Sequence, residues 1–289
     1  MTLILRSLLL SVPLSLRMIF PVLIVFVLCV PVWFGLGIVT LGLSQYISEG
    51  ITTAFISMIG IRAALALTGD RHRTDFKNLI AFAILYGLFF IAVLAVMNVI
   101  TSYAAVGFSL WKIGEPLSLS ALQSFTEDEL FAFGIYTLLG KVVVSTITVS
   151  VVYALMAVPL ANAARAAGHG LSSPGFFNGF GRSFIPLFCV FFLSIFPIFY
   201  FELLSFLYAL LPLILSVVSF IFTQTLPEFE LEFILKGVAS LAALLWLNAW
   251  IWSITALALL KFDDKNTQRS RRADRSAELH ALRKSRQRY

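Results

Sequence analysis

The sequence predicts an all-α integral membrane protein of six transmembrane helices, arranged as three helical hairpins with both termini on the cytoplasmic side. Three observations predict it. Sixty per cent of the 289 residues are hydrophobic and 12% are charged, with a mean hydropathy of +0.94, whereas a soluble domain carries about 25% charged residues. Five long stretches, 18–48, 142–164, 183–201, 203–227 and 237–260, contain no Asp, Glu, Lys or Arg. About 20 apolar residues cross a bilayer as a helix, because a helix satisfies its own backbone in hydrocarbon.

The third observation is the segregation of charge. Arg6, Arg17, Arg71, Arg73, Lys77, Arg165, Arg182 and ten residues from Lys261 onward place 17 of the 21 basic residues on one side. Glu49, Glu115, Glu127, Asp128, Glu129, Glu202, Glu228, Glu230 and Glu232 place nine of the 15 acids on the other. The side rich in Lys and Arg is cytoplasmic by the positive-inside rule, and the membrane is the plasma or inner membrane of a cell.

In chain order, residues 1–17 read as an interfacial N-terminal segment, basic and then apolar. The apolar run exceeds the 7–15 residues of a signal-peptide core and lacks a small-residue cleavage site, so a retained segment is expected. The six-helix domain 18–260 has spans at 18–44, 48–68, 77–101, 132–164, 183–203 and 234–260, and the basic tail covers 261–289. The stretch 203–227 is long enough for a seventh span, but a seventh crossing would carry the tail outside. A kinked continuation, or a re-entrant or surface-lying segment, is therefore expected there, helped by Pro197 and Pro212.

Three polar islands punctuate the outer side. "QSFTEDEL" (123–130) and "QTLPEFEL" (224–231) share Gln, two Glu and the final Leu, and "QYISE" (45–49) echoes them. Each opens an inward-running helix, where Ser48 and Thr126 suit an N-cap, Pro227 suits a first turn and acids favour the dipole. Thr126 with Glu129 has the spacing of a capping box. The inner ends of the same helices carry Ala64-x-Ala66, Ala161-x-Ala163 and Ala256-x-Ala258. The hairpins 17–69, 76–168 and 182–264 thus read either as a degenerate triplication or as shared demands on any membrane hairpin. The layout is similar to that of mitochondrial carriers. The carrier motif of Pro followed by an acid and a base is missing at Pro21, Pro31, Pro186 and Pro197, so no function is transferred.

Candidates for chemistry are few. Lys141, Glu202 and Lys236 fall at the outer membrane boundary, where snorkelling or a Lys141–Glu202 pair accounts for them. Arg62 lies eight residues before Asp70, about 12 Å deep on a helix. It either reaches back to the cytoplasmic surface or meets a buried partner or polar cavity, with Asn162 at similar depth. Asn248, inside "WLNAWIW", is expected to bridge two helices by hydrogen bond, with a substrate contact as the alternative. Ser145, Thr146, Thr148 and Ser150 make the fourth span polar enough to face the bundle interior. Cys29 and Cys189 read as small hydrophobes.

No HExxH, GxSxG, Walker loop or intramembrane carboxylate pair occurs, so no enzyme, cofactor or metal is expected. The tail carries ten basic and four acidic residues without interleaved aromatics. It suits anionic lipid first, a protein partner second and nucleic acid least. The expectation is an accessory or scaffold subunit of a membrane assembly, with a transporter or lipid-handling permease using Arg62 and Asn248 as the alternative.

Overall fold

The computed structural model describes residues 2–39, 43–70, 75–114, 125–169, 175–224 and 231–286. These form helices and turns only: α1 (Thr2–Val39), α2 (Leu43–Leu67), α3 (Phe76–Ile113), α4 (Glu127–His169), α5 (Phe184–Ser205), α6 (Leu211–Thr223) and α7 (Leu231–Arg286). Six stretches are long and apolar enough to cross a membrane, within 2–29, 50–67, 76–113, 127–167, 184–209 and 231–268. Gln123, the Pro227–Glu228 pair and the 71–74 loop lie outside the described residues, as do the side chains of Glu49 and of the tail from residue 269.

Residues 1–17, expected as an interfacial segment, begin within α1, which runs unbroken from Thr2. Leu14 and Met18 are fully buried while Arg6 and Arg17 are exposed, so these charges mark the outer face of one helix, not its start. Ser7, Ser11 and Ser15 fold their hydroxyls back onto the carbonyls of Ile4, Leu8 and Val12, hiding their polarity from an apolar surround.

Beyond α5 the chain continues as a single rod. Phe206–Leu210 form one π turn between α5 and α6, with the amide of Leu211 bonded to the carbonyl of Phe206. This is the kinked continuation allowed for 203–227. Pro212 has no N–H to offer Tyr208 in α register, and the Tyr208 carbonyl instead faces Gly237 of α7, where an added Cβ would sit 2.8 Å from it.

The six long helices touch in chain order around a closed ring, α1–α2–α3–α4–α5–α7 and back to α1, and α2, α4 and α7 also touch one another across its middle. Those three inner helices carry the Ala-x-Ala pairs. Ala64, Ala161, Ala163, Ala256 and Ala258 are all essentially without solvent exposure. Small residues are what a membrane interface needs, because lipid gives no hydrophobic drive between helices and close backbone approach supplies the attraction. The same logic fixes the α2–α3 crossing, where a Cβ on Gly87 would meet the Ile51 Cα at 2.7 Å. Hydroxyl pairs add to it: Ser109 with Thr137 at 2.8 Å and Ser145 with Thr101 at 3.4 Å join α3 to α4, and Ser205 with Ser240 at 3.1 Å joins α5 to α7. Thr146 and Ser150 bond their own helix, so only part of the polar run in α4 serves packing between helices.

Candidate functional site: an intramembrane cavity and a polar hub

A cavity of about 550 Å³ opens between α2, α3, α4, α5 and α7. It follows α5 from Phe191 to Glu202, about 16 Å at the helical rise. Its walls are aromatic and aliphatic. Phe90 stacks on Tyr153 at 5.0 Å and Tyr153 on Phe191 at 5.7 Å, giving a three-ring ladder across α3, α4 and α5. Trp252, nearly fully buried, belongs to the opposite wall on α7. Polar groups are sparse: Thr53, Asn98 and Glu202 towards one end, and Ser57, Asn248 and Thr255 further along. An apolar cleft with a few convergent polar groups is the usual make-up of a small-molecule site.

Two of the sequence-derived candidates meet in this cavity. Asn248 and Glu202 both line it, although the Asn248 amide donates 2.9 Å to the Leu244 carbonyl of its own helix and does not bridge to a neighbour. The other candidates lie elsewhere. Lys141 is exposed and makes no ion pair among the described residues, so the Lys141–Glu202 pair does not form. Lys236 pairs with Glu232 one turn earlier at 2.7 Å and sits over the Tyr208 ring. Both partners are exposed, so the bond contributes little to stability.

Arg62 belongs to a second site, a polar hub at the basic end of the bundle. Arg62 is 6% exposed and feels Asp70 as an attracting charge and Arg165 as a repelling one. Asp70 is held there by the way α2 ends. The Asp70 amide bonds the Leu65 carbonyl and the Gly69 amide the Ala66 carbonyl, with Gly69 at φ +107, the double bond of a Schellman turn. Arg165 of α4 then bridges two helices, its Nε 3.0 Å from Asp70 and one terminal nitrogen bonded to Asp263 of α7. The four charges sum to zero, and the two whose side chains are least exposed, Arg62 and Asp70, are of opposite sign.

The same stretch of α4 anchors both neighbouring loops. Pro159 lacks the N–H that would bond the Leu155 carbonyl, and the Gly181 amide from the 175–183 loop bonds that carbonyl at 3.1 Å. Asn162 donates to the Asn178 carbonyl at 3.2 Å, in place of the Arg62 neighbour expected from depth alone. The hydroxyl of buried Tyr86 lies 3.2 Å from the Pro159 carbonyl and 2.9 Å from that of Phe176, whose ring stacks on Tyr86 at 4.4 Å. On the other flank, the Asp75 amide bonds the Ala167 carbonyl while the Asp75 carboxylate caps α3 through the Lys77 amide. The segment "PGFFNGFG" was not among the candidates read from the sequence. Its signal was the three glycines among aromatics, a composition suited to backbone lying close on a helix.

No family model, curated protein or solved structure matches this chain.

Proposed function

We propose that this protein is a non-enzymatic multi-pass protein of the cell membrane that binds an amphipathic, lipid-like molecule in the cavity between α2, α3, α4, α5 and α7, as a lipid-handling permease would. The observation that carries this reading is the cavity itself: about 550 Å³, walled by the Phe90–Tyr153–Phe191 ladder and Trp252, with Asn248 and Glu202 among its few polar groups. Apolar walls suit acyl or ring carbons, and the scattered polar groups suit a headgroup. Arg62 takes no part in this path and holds the bundle end together.

Gentle detergent extraction followed by mass spectrometry of bound small molecules tests the reading. Wild-type protein should retain an amphiphile that both Asn248→Leu and Ala95→Phe, at an exposed position of the cavity lining, release without a fall in melting temperature. Equal retention by all three proteins, or no bound amphiphile in any, would sink it.

A second reading, an accessory or scaffold subunit, has its own support in α7. This helix continues past Leu260 to Arg286, through most of the ten basic residues of the tail. Such an arm suits anionic lipid or an acidic protein surface. Deleting 265–289 should then release a co-purifying protein while the membrane domain stays inserted, and unchanged recovery of that protein would exclude the docking role.

The mutual contact of α2, α4 and α7 supports a degenerate triplication of one hairpin, and the segregated charges support cytoplasmic termini. Single cysteines placed at residues 3 and 285 in a Cys29→Ser/Cys189→Ser background should both resist an impermeant thiol reagent in intact cells. Labelling of either one would reverse the assignment.

A further inference from the structure

A second, smaller cavity of about 190 Å³ lies where the chain enters α5, against the start of the tail on α7. Its lining is Gly181, Arg182, Ser183, Lys261, Phe262, Lys265 and Asn266, with three cations and no acid among them. Lys261 and Lys265 are one turn apart on α7, so their ammonium groups share a face and repel each other. Arg182 faces them from the α5 side, its guanidinium 5.8 Å from the centre of the Phe262 ring. None of the three makes an ion pair among the described residues, since Asp263 is engaged by Arg165. Convergence of three like charges on one small concavity raises the energy of the empty site, and an anion reverses that term. The positive end of α5 begins beside it and adds to the same potential.

We propose that this cavity is a phosphate-binding site, taking either the headgroup phosphate of an anionic phospholipid or a free phosphate. Arg182 presents the planar fork that suits phosphate oxygens, while Lys261 and Lys265 act as point charges. Both chain segments border apolar stretches, Arg182 just before α5 and Lys261 just after the apolar part of α7 that closes at Leu260, which suits headgroup level on the basic side. The site is discrete, unlike the diffuse attraction of the tail, and does not depend on the larger cavity.

The test uses the full chain in detergent, with native mass spectrometry of retained dioleoylphosphatidylglycerol against dioleoylphosphatidylcholine and calorimetric titration with inorganic phosphate. Lys261→Gln/Lys265→Gln, which leaves the Arg182–Phe262 contact in place, should lower retention of the anionic lipid about tenfold or more. Arg6→Gln/Arg17→Gln, which removes two exposed charges of α1 outside the site, should change it less than twofold. Retention that millimolar inorganic phosphate does not displace assigns the headgroup. Titratable binding of inorganic phosphate, lost in the double lysine variant, assigns the free ion. Equal loss in both double variants, or unchanged binding of both probes in the lysine variant, overturns the proposal.

Discussion

Gly60 of α2 and Trp252 of α7 pack so closely that a Cβ at position 60 would fall 2.2 Å from the indole ring. The tryptophan is nearly fully buried and forms one wall of the larger cavity, so the missing side chain on α2 sets where that wall stands. Gly60→Val should drive the indole towards the cavity. The expected outcome is a severalfold loss of bound amphiphile together with a shifted tryptophan emission maximum. An unchanged spectrum and unchanged retention would show that the wall does not move.

Arg165 ties α4 to both Asp70 and Asp263, and its removal takes an ion-pair partner from each carboxylate. Arg165→Ala should destabilise the bundle by about 1.5–3 kcal/mol, the range for hydrogen bonds to charged groups. Asp263→Asn alone should cost less, because both members of that pair are about one-third exposed. Combining Arg165→Ala with Asp70→Asn should recover part of the loss. Detergent melting curves of Arg165→Ala, Asp70→Asn and the double variant give the coupling, and strict additivity would deny the bridge.

The 175–183 loop is held to α4 through the carbonyl that Pro159 leaves open. Pro159→Ala restores an N–H that competes for Leu155, so the Gly181 amide loses its partner. Faster deuterium uptake across 175–183, with α4 itself unaffected or slower, is the expected signature. Gly179→Ala attacks the same contact sterically: φ is +88, and a Cβ would lie 2.4 Å from Val158 Cγ1. It should cost about 1–3 kcal/mol in a thermal melt.

At the far end of α4 the capping box closes as spaced. The Thr126 amide bonds Glu129 Oε2 at 2.8 Å, and the Glu129 amide lies 3.4 Å from Thr126 Oγ1. Thr126→Ala should raise amide exchange in the first turn of α4 and cost about 0.5–2 kcal/mol locally. Phosphate and amphiphile binding should be unaffected, since neither cavity includes these residues.

Local rules were readable in the one-dimensional chain, and relations between distant segments were not. Apolar composition foretold an all-helical chain with six helices of membrane-spanning length, and small residues at 64, 161, 163, 256 and 258 lie where helices approach. Thr126 and Glu129 showed their cap because its partners are three residues apart. Arg62 was legible as a buried charge, but Arg165 and Asp263, which complete its hub, come from helices some 100 and 200 residues away. Depth along a helix says nothing of azimuth, which is why Asn162 meets Asn178 and Lys141 misses Glu202. Arg6 and Arg17 misled for the same reason: a charge on the exposed side of a helix looks, in sequence, like a boundary. The cavity was foreshadowed only by Asn248 and Glu202, because a void is made by residues that are absent.

The length of α3 carries a consequence for the surrounding bilayer. From Phe76 to Ile113 it has 38 residues, about 57 Å of helix, against a hydrocarbon core of about 30 Å. Even at a tilt of about 40°, the upper end of the usual range, it extends about 44 Å along the membrane normal, the full depth of hydrocarbon and both headgroup layers. Its far end remains apolar, with Trp111 and Phe108 exposed and Lys112 beside them. A helix of this length is accommodated by tilting, by local thickening of the bilayer or by its end standing beyond the headgroups.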